Sequence, residues 1–393
     1  MLAIGHFSVD VAQGAVPALL PFMVTDRGYS FAAASGLMLA LLASSSIVQP
    51  AFGRLTDLRP LPWLMPAAVV TAGVGIAATG WLASYPATFA AVVIAGLGVA
   101  AYHPEGARYA NYVSGDRRAT GMSIYSVGGN AGLAAGPIFV TPLVLAFGLH
   151  GTAALLILPL IVAAVLVGEL PALRAAAPRV VETHEEATPA RNNWGAFGRL
   201  TVVIGLRSTV FYGMATFVPL YFISELGSST AMGNAALSVL LVCGGIGTLI
   251  GGRLADRFAR RTVLRVSIGL LTPLIVLFLL GGPVVATITA GLVGAAAVGS
   301  FSITLVMGQE YLPGHLGMAS GMSLGFAIGV GGVGAASLGP VADASGIPTV
   351  IALLAVLPLP ALALAMTLPH ADRAVVRSRT PRHAEKLSEA ARP

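Results

Sequence analysis

Apolar stretches of membrane-spanning length follow one another along almost the whole chain, and this pattern limits the fold more than any other feature. A bilayer core takes roughly 20 mostly apolar residues per helix. Breaking the sequence at charges, Pro/Gly clusters and polar runs leaves twelve such stretches, at 2–24, 33–52, 62–82, 86–109, 119–142, 150–170, 199–223, 232–252, 263–281, 283–308, 316–341 and 346–367. Alternation with a period of two is absent, which argues against a membrane barrel. Composition agrees: 56% of the 393 residues are hydrophobic and 10% charged, against about 25% charged in soluble proteins. With 22 Lys+Arg and 16 Asp+Glu, the chain cannot clothe a soluble globule of its size. A soluble enzyme, a disordered chain and a nucleic-acid binder are thereby excluded, in spite of the net charge of +6. The single Cys243 excludes an intrachain disulfide framework. No basic run precedes the first apolar stretch, so nothing reads as a cleavable signal. The chain starts inside an apolar segment, as it would if a short leader lay upstream.

Two segments break the pattern. Residues 171–198 are Pro-rich and charged, with Glu182, Glu185 and Glu186, and read as a linker between halves. Residues 369–393 carry six basic side chains and read as a solvated tail. The expected organisation is an N-terminal six-helix bundle over 1–170, the linker, a C-terminal six-helix bundle over 199–368, and the tail. The Lys/Arg bias sets the orientation. With the N-terminus inside, the inward loops and the tail hold 20 of the 22 basic residues. Arg27 falls outside and Arg207 within a span. One helix more or fewer in either half would scramble that count, so the bias supports twelve spans and cytoplasmic termini.

The halves repeat at an offset near 200. GRLTD at 53–57 echoes GRLAD at 252–256, each after the second helix of its half. GMSIYSVGGNAG at 121–132 echoes GMSLGFAIGVGG at 321–332, matching Gly121, Gly129 and Gly132 with Gly321, Gly329 and Gly332. Pro21 near the end of the first span answers Pro219 near the end of the seventh. Six plus six helices give parallel repeats about an axis along the membrane normal, the arrangement of transporters whose halves rock about a shared site.

These features resemble the major facilitator superfamily. GGRLADRFARR at 251–261 is similar to its loop motif between the second and third helices of a half. More narrowly, HFSVDVAQGAVPALLPF at 6–22, AYHPEGARYANYVSGDRRA at 101–119 and QEYLPGHLGMASGMSLGFAIGVGGVGAASLG at 309–339 look like the fosmidomycin-resistance type of efflux transporter. The resemblance implies a twelve-helix antiporter of the bacterial inner membrane, working as a monomer, that exports a small antibiotic or metabolite in exchange for protons. It implies no enzymatic activity, no cofactor and no resident metal. It also implies that Gly53, Arg54, Asp57, Gly252, Arg253, Asp256 and Arg257 lock the inward loops, with Asp57 meeting a helix N-terminus or an Arg of the other half. Gly132, Gly136 and Pro137 are similar to the core of the antiporter motif, although Val140 and Thr141 stand where the pattern continues with glycines.

Ionisable groups inside the membrane are rare and need a reason. Asp10 lies roughly 12 Å into the first helix at 1.5 Å per residue, on one face with His6 and Gln13. Desolvation keeps such a carboxylate protonatable near neutral pH, and His6 one turn away tunes it. Either the pair carries the coupling proton or it is a fixed structural pair. Arg207 in the seventh span requires an anionic partner, Asp10 or a substrate, and Tyr212 follows it along the same helix. Tyr102-His103-Pro104-Glu105-Gly106-Ala107-Arg108 closes the fourth span on the inward side. His103 and Glu105 read there as a second proton site or gate, and Arg108 as a partner of Glu105 at i, i+3. Gln309 and Glu310 take the equivalent place in the second half. Tyr102, Gln49 and Asn130 are expected to face the cavity with Gln13, Arg207 and Tyr212. Proton-driven export of a small, in one reading anionic, compound is the leading expectation. Uptake by symport and a non-transporting membrane sensor are the alternatives.

Overall fold

The computed structural model describes residues 1–58, 61–114, 118–176, 192–313, 315, 318–319 and 322–369, with the backbone alone for 57, 58, 118–120 and 324. The inner part of the expected linker and the tail from 370 onward lie outside these residues. So do Arg59, Arg117, Arg179, Arg191, Gly321 and the side chain of Asp57. Every described element is helical, as a chain in lipid requires when its backbone groups must bond within their own segment.

The first span is α1 (Leu2–Arg27); the second is α2 (Phe31–Ile47) and α3 (Gln49–Leu58), broken just before Pro50. The third is α4 (Leu64–Ala78), and the fourth is α5 (Tyr85–Val113). The fifth, α6 (Arg118–Phe147), turns through a 3-10 segment (Gly148–Leu156) into the sixth, α7 (Ile157–Gly168), and then α8 (Leu170–Ala176). Gly148, at φ 61°, makes that corner. The second half runs α9 (Trp194–Ser224), α10 (Thr230–Arg257) and α11 (Arg260–Leu280). The tenth span is split into α12 (Pro283–Gly299) and α13 (Phe301–Tyr311). The eleventh is a π turn (Met322–Phe326) followed by α14 (Ala327–Ser337) and α15 (Gly339–Ser345), and the twelfth is α16 (Ile347–Val356) and α17 (Pro358–Met366). Ten helical stretches among the described residues are long and apolar enough to cross a bilayer. One of them, Gly121–Gly168, is the fifth and sixth spans run together, and the shorter α4 completes the set. The observed fold class is therefore the expected one, an all-α membrane protein of twelve spans in two pseudo-symmetric six-helix bundles.

Burial ranks the helices. In the first and seventh spans 78% and 72% of the most apolar window is buried inside the protein, against 28% in the ninth. The two deepest helices are thus equivalent members of the two halves, and they carry Asp10 and Arg207. A stripe of Gly128, Gly132 and Gly136 lets α6 lie backbone to backbone on α1 at Ala3, Phe7 and Gly14. The two antiporter-like glycines therefore fix the fifth helix against the first.

The halves meet most closely on the face opposite the chain ends, here called the far face. The Asp343 carboxylate of α15 accepts from the amides of Phe31 and Ala32 at 2.7 and 3.0 Å, capping the first turn of α2 across the seam. Asn234 Nδ2 of α10 donates to Ala18 O at 3.0 Å and to Thr141 Oγ1 at 2.9 Å. Thr141, the departure from the glycine pattern, is thus an acceptor that ties the fifth helix to the eighth.

Candidate transport site

Three side chains converge in the first half. His6 and Asp10 sit one turn apart on α1, with Nε2 and Oδ2 separated by 3.3 Å. α5 supplies His103, whose Nε2 lies 3.5 Å from Asp10 Oδ1 and 3.2 Å from His6 Nε2. Gly129 of α6 forms the wall: a β-carbon there would strike His6 Nε2 and Asp10 Oδ2. The His6 ring stacks on Tyr125 with centroids 4.2 Å apart.

The other nitrogen of each ring decides the chemistry. His6 Nδ1 lies 2.8 Å from Tyr125 O and His103 Nδ1 2.7 Å from Val99 O. A carbonyl only accepts, so both Nδ1 atoms carry hydrogen and, in the neutral rings, both Nε2 atoms present lone pairs. Two lone pairs and a carboxylate then face one another with no donor among them. Acceptors this close repel, so the arrangement is stable when at least one proton is shared between them. Asp10 Oδ1 is buried without a donor, as this accounting requires. His6 and Asp10 are buried, while a quarter of the His103 side chain stays exposed. The same three groups, with ligand atoms within 4.8 Å of one another, are also a donor set of the type that metals accept.

The second half holds a different arrangement. Arg207 of α9 is 4% exposed. Its Nη1 donates to Ala297 O at the end of α12, and its guanidinium lies 5.8 Å from the Phe301 ring centroid. Nε is buried without an acceptor. Among the described residues no carboxylate pairs with it; Asp10, one of the two expected partners, faces the histidines instead. Between the halves, Gln13, Pro17, Met38, Leu133, Phe211 and Tyr212 help enclose a cavity of about 10 Å³, room for a single water. Gln13 and Tyr212 thus line one small space shared by the two halves.

Other expected residues are placed elsewhere. Tyr102 is fully buried inside the first half, its hydroxyl donating to Leu2 O at 2.7 Å, and does not line the cavity. Gln49 sits half-buried at the head of α3, away from the cavity lining. Asn130 lies on the seam against Gly245 of α10. Glu105 departs most from expectation. It stands two residues from His103, and such residues point to different sides of a helix. Its carboxylate accepts from Leu61 N at 2.7 Å at the start of the third span. Arg108 lies 3.9 Å from it and donates to Thr56 O at the end of the second. Glu105 and Arg108 therefore bond Leu61 at the start of the third span and Thr56 near the end of the second rather than joining the His6–Asp10–His103 cluster. In the second half Glu310, beside Gln309, pairs with Arg260 at the start of the ninth span. Arg54, Arg253, Asp256 and Arg257 are exposed, and Gly53 and Gly252 are half-buried beside them. The capping of a helix across the seam, expected of Asp57, is seen on the far face with Asp343, which sequence reading missed. Tyr125 and Asn234 were missed as well. Their only signal was a polar atom in an apolar span.

Two pseudo-symmetric bundles with ionisable groups buried in their paired central helices define a secondary transporter. The sequence profile of the Major Facilitator Superfamily matches residues 2–336, and the chain belongs to that family. An uncharacterized MFS-type transporter of Bacillus subtilis, YfnC, is 32% identical over 94% of this chain and 92% of its own length. The fosmidomycin resistance protein of Escherichia coli is 29% identical over 91% and 89%. Among solved structures, the fold is similar to a bacterial homolog of the human lysosomal transporter Spinster, inward-facing and occupied (TM-score 0.74, 15% identity, covering 94% and 96% of the two chains). It is also similar to the nucleoside transporter NupG (TM-score 0.71, 16% identity, 93% and 98%). The protein is a multi-pass membrane transporter, not an enzyme.

Proposed function

We propose that this transporter exports a small anionic antibiotic or metabolite in exchange for protons. The observation that carries the reading is the His6–Asp10–His103 cluster, three groups with nearest atoms within 3.5 Å of one another where α5 meets the deepest helix of the first half. Arg207, a buried cation with no carboxylate partner among the described residues, sits in the equivalent helix of the other half. In this reading the bodies 1–170 and 199–368 rock about the seam, with both termini in the cytoplasm of a bacterium and the protein a monomer in the inner membrane. With the far face shut by Asp343 and Asn234, the cluster gives up its proton to the cytoplasm through the open side of His103. The anion then settles on Arg207, neutralising a charge that is costly to bury alone. Opening the far face releases the anion and admits a proton to Asp10. The likeness to a fosmidomycin resistance protein supports a phosphonate-like cargo and outward direction.

Proton release on addition of fosmidomycin to the purified protein tests the coupling. Release is expected from wild type and lost in Asp10→Asn; equal release from both would remove Asp10 from the scheme. Undiminished exchange in liposomes treated with a chelator is also expected, and a loss restored by zinc would make the cluster a metal site. A deletion strain should gain sensitivity to phosphonate antibiotics, and unchanged sensitivity across a broad panel would overturn export.

A further inference from the structure

We infer that the anion is held by a composite receptor at the break in the tenth span, formed by Arg207, the amide end of α13 and the hydroxyls of Ser300 and Ser302. Its ligand class is a tetrahedral oxyanion, a phosphonate or phosphate monoester, rather than a carboxylate. The inference rests on the anion reading above and adds the receptor and its chemistry.

α12 stops at Gly299 and α13 starts at Phe301, with Ser300 between them at φ −89° and ψ 0°. In an unbroken helix Ala297 O would take the amide hydrogen of Phe301; here it takes the Arg207 guanidinium. The ladder resumes where Thr304 N bonds Ser300 O at 3.0 Å. The amides of Phe301, Ser302 and Ile303 are left with no backbone acceptor across the break. They form the positive end of an eleven-residue helix. Half-helix ends at mid-membrane serve other transporters as anion sites.

The side chains give a second, independent sign. Ser300 is fully buried and its hydroxyl has no partner, although it occupies the N-cap position. The Ser302 hydroxyl and Arg207 Nε are likewise buried without partners. Every orphan at this place is able to donate, and among the described residues no acid pairs with them. Gly247 and Gly251 of α10 wall the back by lying against Ala295 and Gly299. Phe301 and Ser302 are themselves half-buried. A guanidinium edge, two hydroxyls and a fan of amides are more donors than a planar carboxylate accepts. They match three oxygens disposed around a phosphorus.

Calorimetric titration of the purified protein with fosmidomycin, competed by methylphosphonate or acetate, tests the receptor. Methylphosphonate should compete better than acetate in wild type. The double variant Ser300→Ala/Ser302→Ala should bind fosmidomycin about tenfold more weakly and lose that preference, as befits lost hydrogen bonds to a charged group. Ser302→Pro keeps a helix whose first turn tolerates proline and removes one amide donor with the hydroxyl, so it should weaken binding further than Ser302→Ala. Arg207→Gln should weaken it about a hundredfold. Full affinity in the double variant and in Ser302→Pro, with loss in Arg207→Gln, would overturn the receptor and leave the anion reading standing. Full affinity in Arg207→Gln as well would remove both.

Discussion

The two halves use equivalent places for opposite chemistry. In the first half, the deepest helix and the fourth span bring together a carboxylate and two imidazole lone pairs. In the second, the deepest helix and the tenth span bring together a guanidinium and orphan hydroxyls. The offset near 200 that relates the repeats places His103 opposite the first turn of α13, about three residues past the break at Ser300. In the proposed scheme one half gathers acceptors for a proton, and the other gathers donors for an anion. The repeat supplies the frame, and in that scheme a few polar substitutions on it separate ion from cargo. This division also explains the absence of an ion pair between Asp10 and Arg207. A fixed pair would satisfy both charges permanently and leave nothing for proton or substrate to do.

The sharpest way to break the comparison is a paired substitution. Asp10→Asn should abolish proton-driven exchange, a loss of at least about a hundredfold, while leaving binding of fosmidomycin measurable by calorimetry. Arg207→Gln should show the reverse order, with anion binding lost before the proton cluster is disturbed. If Asp10→Asn removes anion binding as completely as Arg207→Gln, the two sites are one, and the division by halves is wrong.

A second test uses the repeat itself. Gly129 and Gly329 are matched in sequence, yet a β-carbon at Gly129 would strike His6 and Asp10, while one at Gly329 meets nothing within 4 Å. Gly129→Ala must push the cluster apart or move α6 off α1, at a cost of about 1–3 kcal/mol for overpacking. Gly329→Ala should leave stability within about 0.5 kcal/mol of wild type. Thermal unfolding in detergent and exchange in liposomes should both separate these variants. Equal effects would mean that the first half is no more tightly built around its site than the second.

Much of this architecture was legible in the sequence. Runs of apolar residues announce spans because lipid leaves a backbone no other choice. His6 and Asp10 announce a shared face by their spacing of four. His103 was harder to place: Glu105 is its neighbour in sequence, but helical geometry sends the two to different helices, and no local pattern says which. The isolation of Arg207 is a property of what surrounds it in space. Asp343 gave little sign, because a single acid near a helix end looks like solvent-facing decoration until the start of α2 is found beside it. The break at Ser300 carries no proline; its mark in the residue order is the Gly299-Ser300 pair, a helix end followed by an N-cap residue.

The far-face clasp bears on the comparison because it decides which side both sites meet. Asp343→Asn keeps one acceptor for the amides of α2 but removes the charge that complements the helix end. Such an interaction is worth about 0.3–1 kcal/mol, so far-face opening should rise by at most roughly fivefold. Labelling of a cysteine placed at Ser35, which packs against Gly339 across the same seam, reads that opening directly.

Asn234→Ala should act in the same direction with an effect of similar size. Hydrogen bonds between membrane helices average about 0.6 kcal/mol, because the separated helices find other partners. Asn234 gives two of them across the seam, one to a backbone carbonyl and one to Thr141. If the clasp is a sum of local contacts, Asp343→Asn and Asn234→Ala should add in the labelling assay. If the two bundles move as rigid bodies, the second substitution should have less to release once the first has opened the seam. Additive labelling rates would then show that the far face loosens piecemeal. Less than additive rates would show one gate serving the acceptor site of one half and the donor site of the other.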